Sequence, residues 1–446
     1  MPKKKHVEQE IRWVHRVNAV FLLAFLAGGL TQSIEARDRQ IPPLPSDFSK
    51  TDVYLGTRDI GEDIYAKYGH SIVRIVDHQN NSDVGYNWGT FDFNEPDFIP
   101  KFLQGILIYH MSYSPWRQDI LMSKYERRSM WMERINLTVK QKEKLIRRIN
   151  WQAQPENIKF PYLFFYDNCS TRVRDFLDEA LGGKIKEKSF SRMTGRTYRD
   201  RVMEFNASSP MPAMGQDIVL SSEPDKEMSE WDDMFIPVKL DEYLAKMPAF
   251  DDEGREIPGS ALLTEKLVLT EFPAPETPMI NGYMLAWLIA GIPALFGALL
   301  CTKTAWKKTG VRLIGSANVI VGTLWGALGL FMALSWAFGG HTVLPHNANL
   351  WLMWPVDGLY GIAGILLLWR GTWLSVTGKF RQAMLWLTRG HLAGMALFTI
   401  LGLGHLISQD VSRIVLWFVP LTGVVFCAGI LPAWFAQLGG RNTVVR

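Results

Sequence analysis

Cysteine is nearly absent from this chain. Three occur in 446 residues, too few for a disulfide framework. Cys301 and Cys427 fall in strongly apolar stretches, so Cys169 is the one cysteine of the charged, mixed part of the sequence. An excess of one charge is lacking too. Lys and Arg number 48 against 44 Asp and Glu, a formal net charge of +4, which gives no reason to invoke nucleic acid. Histidine is sparse: of nine, only His70, His78 and His110 lie between the N-terminal leader and residue 275. Long apolar runs are missing before residue 280, with the single exception of Val17 to Leu30, and dominate after it. Tryptophan, by contrast, is abundant at 17 residues. The mean hydropathy of zero thus averages two unlike halves.

The first residues carry Lys3, Lys4, Lys5, Arg12 and Arg16 ahead of the Val17–Leu30 run. That run is short for a membrane span and suits a signal-peptide core. Ile34 stands where a small residue favours cleavage, so residues 1–36 read either as a removed signal peptide or as a retained anchor. In both cases the next segment is exported. Residues 37–50, with Pro42, Pro43 and Pro45, read as a linker. From residue 51, strand-like runs appear at Val53–Leu55, Ser71–Val76, Val84–Phe93 and Ile106–Ser112, separated by turn residues. Residues 137–153 read as a helix opened by a Thr138/Gln141 capping box. Residues 184–275 are weakly patterned, with one strand candidate at Asp217–Leu220 and a proline-rich exit. The 51–275 segment is therefore expected to be an α+β domain.

Five apolar spans come after it, near 281–301, 313–337, 350–369, 389–408 and 412–435, so a helical membrane domain is expected over 281–436. The loops with Lys303, Lys307, Lys308 and Arg312 and with Arg370, Lys379, Arg381 and Arg389 are basic, as is the tail with Arg441 and Arg446. The positive-inside rule places all three in the cytoplasm, and hence residues 51–275 outside. The same topology puts His341 and His346 in a short outer loop, open to a metal or simply polar, and Asp357 near the outer end of a span, where a carboxylate is costly.

The stretch Tyr166-Asp167-Asn168-Cys169-Ser170-Thr171-Arg172 reads as a loop turning into a helix. Asp167 and Asn168 are N-cap residues. Cys169, Val173, Phe176 and Ala180 share one helical face, and Gly182-Gly183 ends the run. Cys169 then sits in the first turn, where the positive end of the helix dipole favours a thiolate. The competing reading is an inert small hydrophobe on a core face. A thiolate nucleophile needs a base, usually histidine. His78 lies in a turn with Asn80 and Asn81, and His110 in an apolar run. His70 follows glycine at a strand edge, where a ring can project into a cleft. Asn87 is the favoured orienting group among Tyr86, Asn87 and Asp92 on the next strand. Backbone N–H groups at Cys169 and its neighbours suit an oxyanion hole. Histidine on a strand before cysteine on a helix reverses the papain order, a circularly permuted arrangement of papain-like parts.

Three motifs, Tyr68-Gly69-His70-Ser71, Tyr86 to Phe93 and Phe164 to Arg172, together resemble the Lnb N-terminal periplasmic domain family, in that family's order. More loosely, His346-Asn347-Ala348-Asn349-Leu350 followed by Trp354-Pro355 is similar to its membrane part. The resemblance implies a permuted papain-like, NlpC/P60-related thiol acyltransferase of the bacterial inner membrane. Its histidine and cysteine fall on His70 and Cys169. Beside that pair, Asn87 is the candidate third member, and Tyr68, Asp167, Asn168 and Ser170 of the same motifs are candidates around substrate or oxyanion. The implied donor is a membrane phospholipid and the acceptor the N-terminus of a lipoprotein, with no cofactor. A cell-envelope amidase or peptidase, or a non-catalytic sensor or scaffold, would use the same motifs differently.

Overall fold

A computed structural model describes residues 41–90, 101, 105, 107–301, 307–340, 342–370 and 378–428. The expected leader, the distal part of the Val84–Phe93 run with Asp92, Lys303, His341 and the basic tail lie outside the described residues. Two compact units emerge. One takes the chain to residue 102, 106–212 and 227–277; the other takes 103–105, 213–226 and 278 onward.

The first unit is built on a seven-stranded sheet. Its strands are β1 (Thr51–Arg58), β2 (His70–Asp77), β3 (Ser82–Thr90), β4 (Ile108–Pro115), β5 (Met130–Ile135) and β6 (Lys159–Pro161). Two short pairs come next, β7 (Met193–Thr197) with β8 (Glu227–Ser229) and β9 (Pro248–Phe250) with β10 (Glu256–Ala261), before β11 (Leu263–Thr270) returns to the main sheet. The order is β11-β5-β1-β2-β3-β4-β6, and every pair is antiparallel. Each of the four early strand-like runs lies on one of these strands where it is described, because alternating β-branched and aromatic residues suit a pleated surface.

Side chains alternate between two apolar layers. Val53, Leu55, Val73, Ile75 and Trp88 join the larger cluster, while Ile72, Met130 and Met132 pack with Trp116 on the opposite face. Helix α1 (Trp116–Tyr125) supplies that second layer. Helices α2 (Val139–Ala153) and α3 (Cys169–Ala180) cover the first with Leu145, Ile149, Val173, Phe176 and Leu177. The Thr138/Gln141 capping box forms as read. The structure shows a mixed α/β unit rich in sheet.

The strand expected at Asp217–Leu220 is not formed. Pro210–Val219 is helical. Pro210 opens it, and Met214 and Ile218, four apart, are both buried on it. Residues 213–226 fold with the second unit, where polar side chains bind their backbone. Asn347 and Asn349 both donate to the Ile218 carbonyl at 2.9 and 2.8 Å, and Gln409 donates to that of Leu220 at 3.0 Å. Arg413 pairs with Asp217 at 2.8 Å.

Among the described residues of that second unit, three helices are long and apolar enough to cross a membrane: Gly282–Leu300, Lys307–Phe338 and Gly378–Leu403. Pro355–Trp369 and Ser412–Ala428 are shorter apolar helices. Lys379 and Arg381, read as loop residues, begin the Gly378–Leu403 helix. Gly322, Gly326 and Gly329 bring the Lys307–Phe338 helix against the backbone of Met353–Gly361, where an added Cβ would lie 2.5 Å from Gly361 N, Gly358 N and Met353 O respectively. Close backbone approach through small residues is how helices associate where no hydrophobic force separates them from lipid.

Trp88 ties α3 to the sheet. It is fully buried and meets Phe176 of α3 edge to face at 5.4 Å. Trp88→Ala is expected to cost about 3–5 kcal/mol, as for other large aromatic truncations in a core. Its indole N–H has no partner among the described residues, so Trp88→Phe should cost clearly less. Thermal unfolding of the two variants in detergent checks the ranking.

Candidate active site

The loop before α3 is locked by its own polar side chains. Asn168 is the N-cap, and its Oδ1 accepts from the N–H groups of Ser170 and Thr171 at 2.8 and 2.9 Å. Its Nδ2 donates to the carbonyls of Phe164 and Phe235, both at 2.9 Å. Thr171 returns a bond to the Asn168 N–H. Asp167 does not cap the helix; it pairs with Arg172 through two contacts. Ser170 donates its hydroxyl to the Met234 carbonyl at 2.7 Å. These side chains satisfy backbone groups that burial would otherwise leave unpaired. Of the four residues expected around substrate or oxyanion, Asp167, Asn168 and Ser170 thus hold the scaffold. The Tyr68 hydroxyl accepts from Asn206 at 2.6 Å, and its ring meets Phe164 and Phe205.

Cys169 opens α3 with its side chain in the core layer, 9 % exposed. The N–H of Ser71 reaches its sulfur from β2, joined by those of Cys169 and Ser170. His70 is the first residue of β2, half-buried. Gly69 before it adopts φ +84°, and a Cβ there would lie 2.9 Å from the Arg58 carbonyl, so glycine permits the turn that delivers His70. Gly89 of β3 marks how near the pair is. A Cβ built on it would lie 3.6 Å from His70 Cε1 and 4.0 Å from Cys169 Cβ. The two expected partners therefore border one point.

Asn87 lies on the far side of the ring. Its Oδ1 is 2.9 Å from His70 Nε2. The amide oxygen only accepts, so the imidazole hydrogen sits on Nε2 and the Nδ1 lone pair is the basic site of the ring. The structure thus brings His70, Asn87 and Cys169 together. His78 instead bonds Asp52 at 2.8 Å on the surface, and His110 pairs along β4 with Thr90 and Lys159.

Burial decides the protonation of the pair. It pushes the Cys169 thiol up, against the amide of Ser71 and the charge of Arg128. It pulls His70 down to about 3, helped by the Arg58 and Arg128 guanidiniums and opposed by Asn87. The thiolate expected from the helix dipole is therefore not the resting state: half a charge at the helix end does not offset removal of the sulfur from water. The site rests as neutral thiol and neutral imidazole. Tyr109 and Tyr162 stack at 4.1 Å, and burial holds both phenols protonated.

Sequence reasoning missed Arg58, Arg128 and Asp119. Asp119 backs Asn87 from α1, accepting from its Nδ2 at 3.2 Å. Arg58 is remote from Asp119 and Arg128 in the chain, and none of the three carries a motif; only the strand order of the sheet unites them.

The secondary candidates lie in the helical unit. His346 is exposed, with φ +59° and its ring against Trp336 at 5.2 Å. Asp357 is fully buried and bonds His391 Nε2 at 2.6 Å, a partner the sequence reading lacked, while its other oxygen accepts from the Trp354 N–H. That answers how a carboxylate persists there.

Residues 47–201 match the family model described as the Lnb N-terminal periplasmic domain. The resemblance carried by the three motifs thus holds over this segment, which contains His70, Asn87 and Cys169. No curated protein and no solved structure matches the chain. The family match and the three long apolar helices fit a membrane protein with a periplasmic domain.

A neutral resting pair has a kinetic signature. Alkylation of Cys169 by iodoacetamide is expected to be slow at pH 7 and to keep rising beyond the ordinary thiol range near about 8.5. A rate plateau below pH 6 would instead reveal a standing thiolate–imidazolium pair.

Proposed function

We propose that this protein is a cysteine-dependent acyltransferase of the bacterial inner membrane, moving an acyl chain from a phospholipid to the N-terminal amine of a lipoprotein. The 51–275 segment would work on the periplasmic side, with the C-terminus in the cytoplasm. The observation that carries the reading is the convergence of His70, Cys169 and the Ser71 N–H at one point, inside the segment that matches the Lnb family.

The chemistry runs through a thioester. Nδ1 of His70 takes the thiol proton as the Cys169 sulfur attacks an ester carbonyl of the donor. The acyl C–O bond breaks, and the same proton passes to the departing lysophospholipid oxygen. The lipoprotein amine then attacks the thioester carbonyl. The C–S bond breaks, and the amine proton returns by way of His70 to the sulfur. Neutral reactants suit this sequence, because charge develops only in the transition state, where the N–H groups of Ser71 and Cys169 meet it. Substrates confined to a bilayer favour an enzyme carried on apolar helices, since tethering raises effective concentration.

Mass spectrometry of lipoproteins from cells with intact protein and with Cys169→Ala tests the proposal. Loss of the N-linked chain in the variant is expected, together with a phospholipid-derived, hydroxylamine-sensitive acyl group on Cys169 in the intact protein. Unchanged lipoproteins would refute it. Release of free fatty acid or of cell-wall peptides, with no acceptor modified, would make the protein a hydrolase.

A further inference from the structure

An asparagine amide can present either its oxygen or its NH₂ to a ring, and only one of these orientations at Asn87 suits a base at His70. With Oδ1 toward the ring, Nε2 carries the hydrogen and Nδ1 is free. With Nδ2 toward the ring, the amide would donate, and the hydrogen would move to Nδ1. Something must choose. Asn87 is flanked on its other side by the Asp119 carboxylate, 3.2 Å from Nδ2. An ionised carboxylate only accepts, so it holds the NH₂ group toward itself and the oxygen toward His70.

Asp119 is held in place by residues both near to it and remote from it in the chain. It lies in the first turn of α1 and is buried. Its Oδ2 sits over β3 where a Cβ on Gly85 would come within 2.3 Å, so glycine at 85 makes room for it. Arg58 of β1 donates to the Asp119 carbonyl at 3.0 Å and lies 3.6 Å from its Oδ1. On the far side of that guanidinium, Glu126 is 3.6 Å from Arg58 and 2.9 Å from Arg128. The charged groups around Asp119 are thus Arg58 directly, with Glu126 and Arg128 behind it, and Ser114 of β4 bonds the carboxylate as well.

We propose that Asp119 is a positioning residue of this site: it orients the Asn87 amide, and through it fixes the His70 tautomer that leaves Nδ1 free to take the Cys169 proton. The inference rests on the reading of His70 and Cys169 as a working pair, and not on the acyl donor or acceptor. Burial pushes Asp119 up to about 6, against Arg58, Asn87 and Ser114. Above that pH it is the obligate acceptor; below it the protonated group can donate and no longer selects the orientation. His70, held down at about 3, stays neutral through that range.

The test is the rate of Cys169 alkylation by iodoacetamide in the full-length protein, which needs no acyl substrate. Asp119→Asn keeps the shape and removes the obligate acceptor. It is expected to slow alkylation at pH 7.5 about ten-fold, the scale of one hydrogen bond to a charged group, with the melting temperature held close to wild type. The wild-type to Asp119→Asn ratio should fall toward one as pH drops below about 6. In an Asn87→Ala background, Asp119→Asn should have no further effect, since the group acts through Asn87. Equal rates for wild type and Asp119→Asn, or two effects that simply multiply in the double variant, overturn the proposal. Reactive Cys169 with the expected cycle but no acylated lipoprotein would leave it standing and sink the acyltransferase reading alone.

Discussion

A thiol and an imidazole removed from water together remain uncharged, and the rest of the site is arranged around that fact. Cys169 enters the core layer at the start of α3, His70 begins β2, and two buried guanidiniums oppose a positive ring. Every one of these pulls toward the neutral pair. The helix end and the N–H groups of Ser71 and Cys169 pull the other way, but they act on charge that has yet to appear. Such a site stores no ion pair in the ground state. In the proposed reaction its stabilising groups would act at the moment of bond formation, lowering a barrier rather than deepening a well.

Rigidity comes from the same burial. Asn168 spends all of its hydrogen-bonding capacity on backbone groups, and Ser170 and Thr171 are enclosed with it. Asp167, Asn168 and Ser170 of that motif are thus frame around Cys169. The same applies in the helical unit. Asn347 and Asn349 bind the backbone of residues 213–226, so the polar motif there has a structural occupation. Asp357 has one as well, through His391 and the Trp354 N–H.

Much of this is legible along the chain, and for reasons that are local. The four early strands obey a two-residue alternation, α2 announces itself by its capping box, and α3 by a 3.6-residue apolar period closed at Gly182-Gly183. His70 stands out because so few histidines precede residue 275, and Asn87 because it sits on the next strand. The misreadings have equally specific causes. Asp217–Leu220 looks extended over four residues, yet Pro210 and the Met214–Ile218 spacing carry it into a helix. The thiolate expectation rests on the helix end alone, and burial outweighs that effect.

Sequence by itself determined the two unlike halves, the strands and helices whose signals repeat within a few residues, and the candidate pair of Cys169 and His70. Periodicity and capping are written in near neighbours, so no fold is needed to read them. Tertiary structure alone decided that His70 and Cys169 both border Gly89, that Asp119 and Arg58 stand behind Asn87, and that burial pushes the thiol toward its protonated form. Those outcomes depend on strand order and on distance from water, quantities that arise only when residues remote in the chain share one interior.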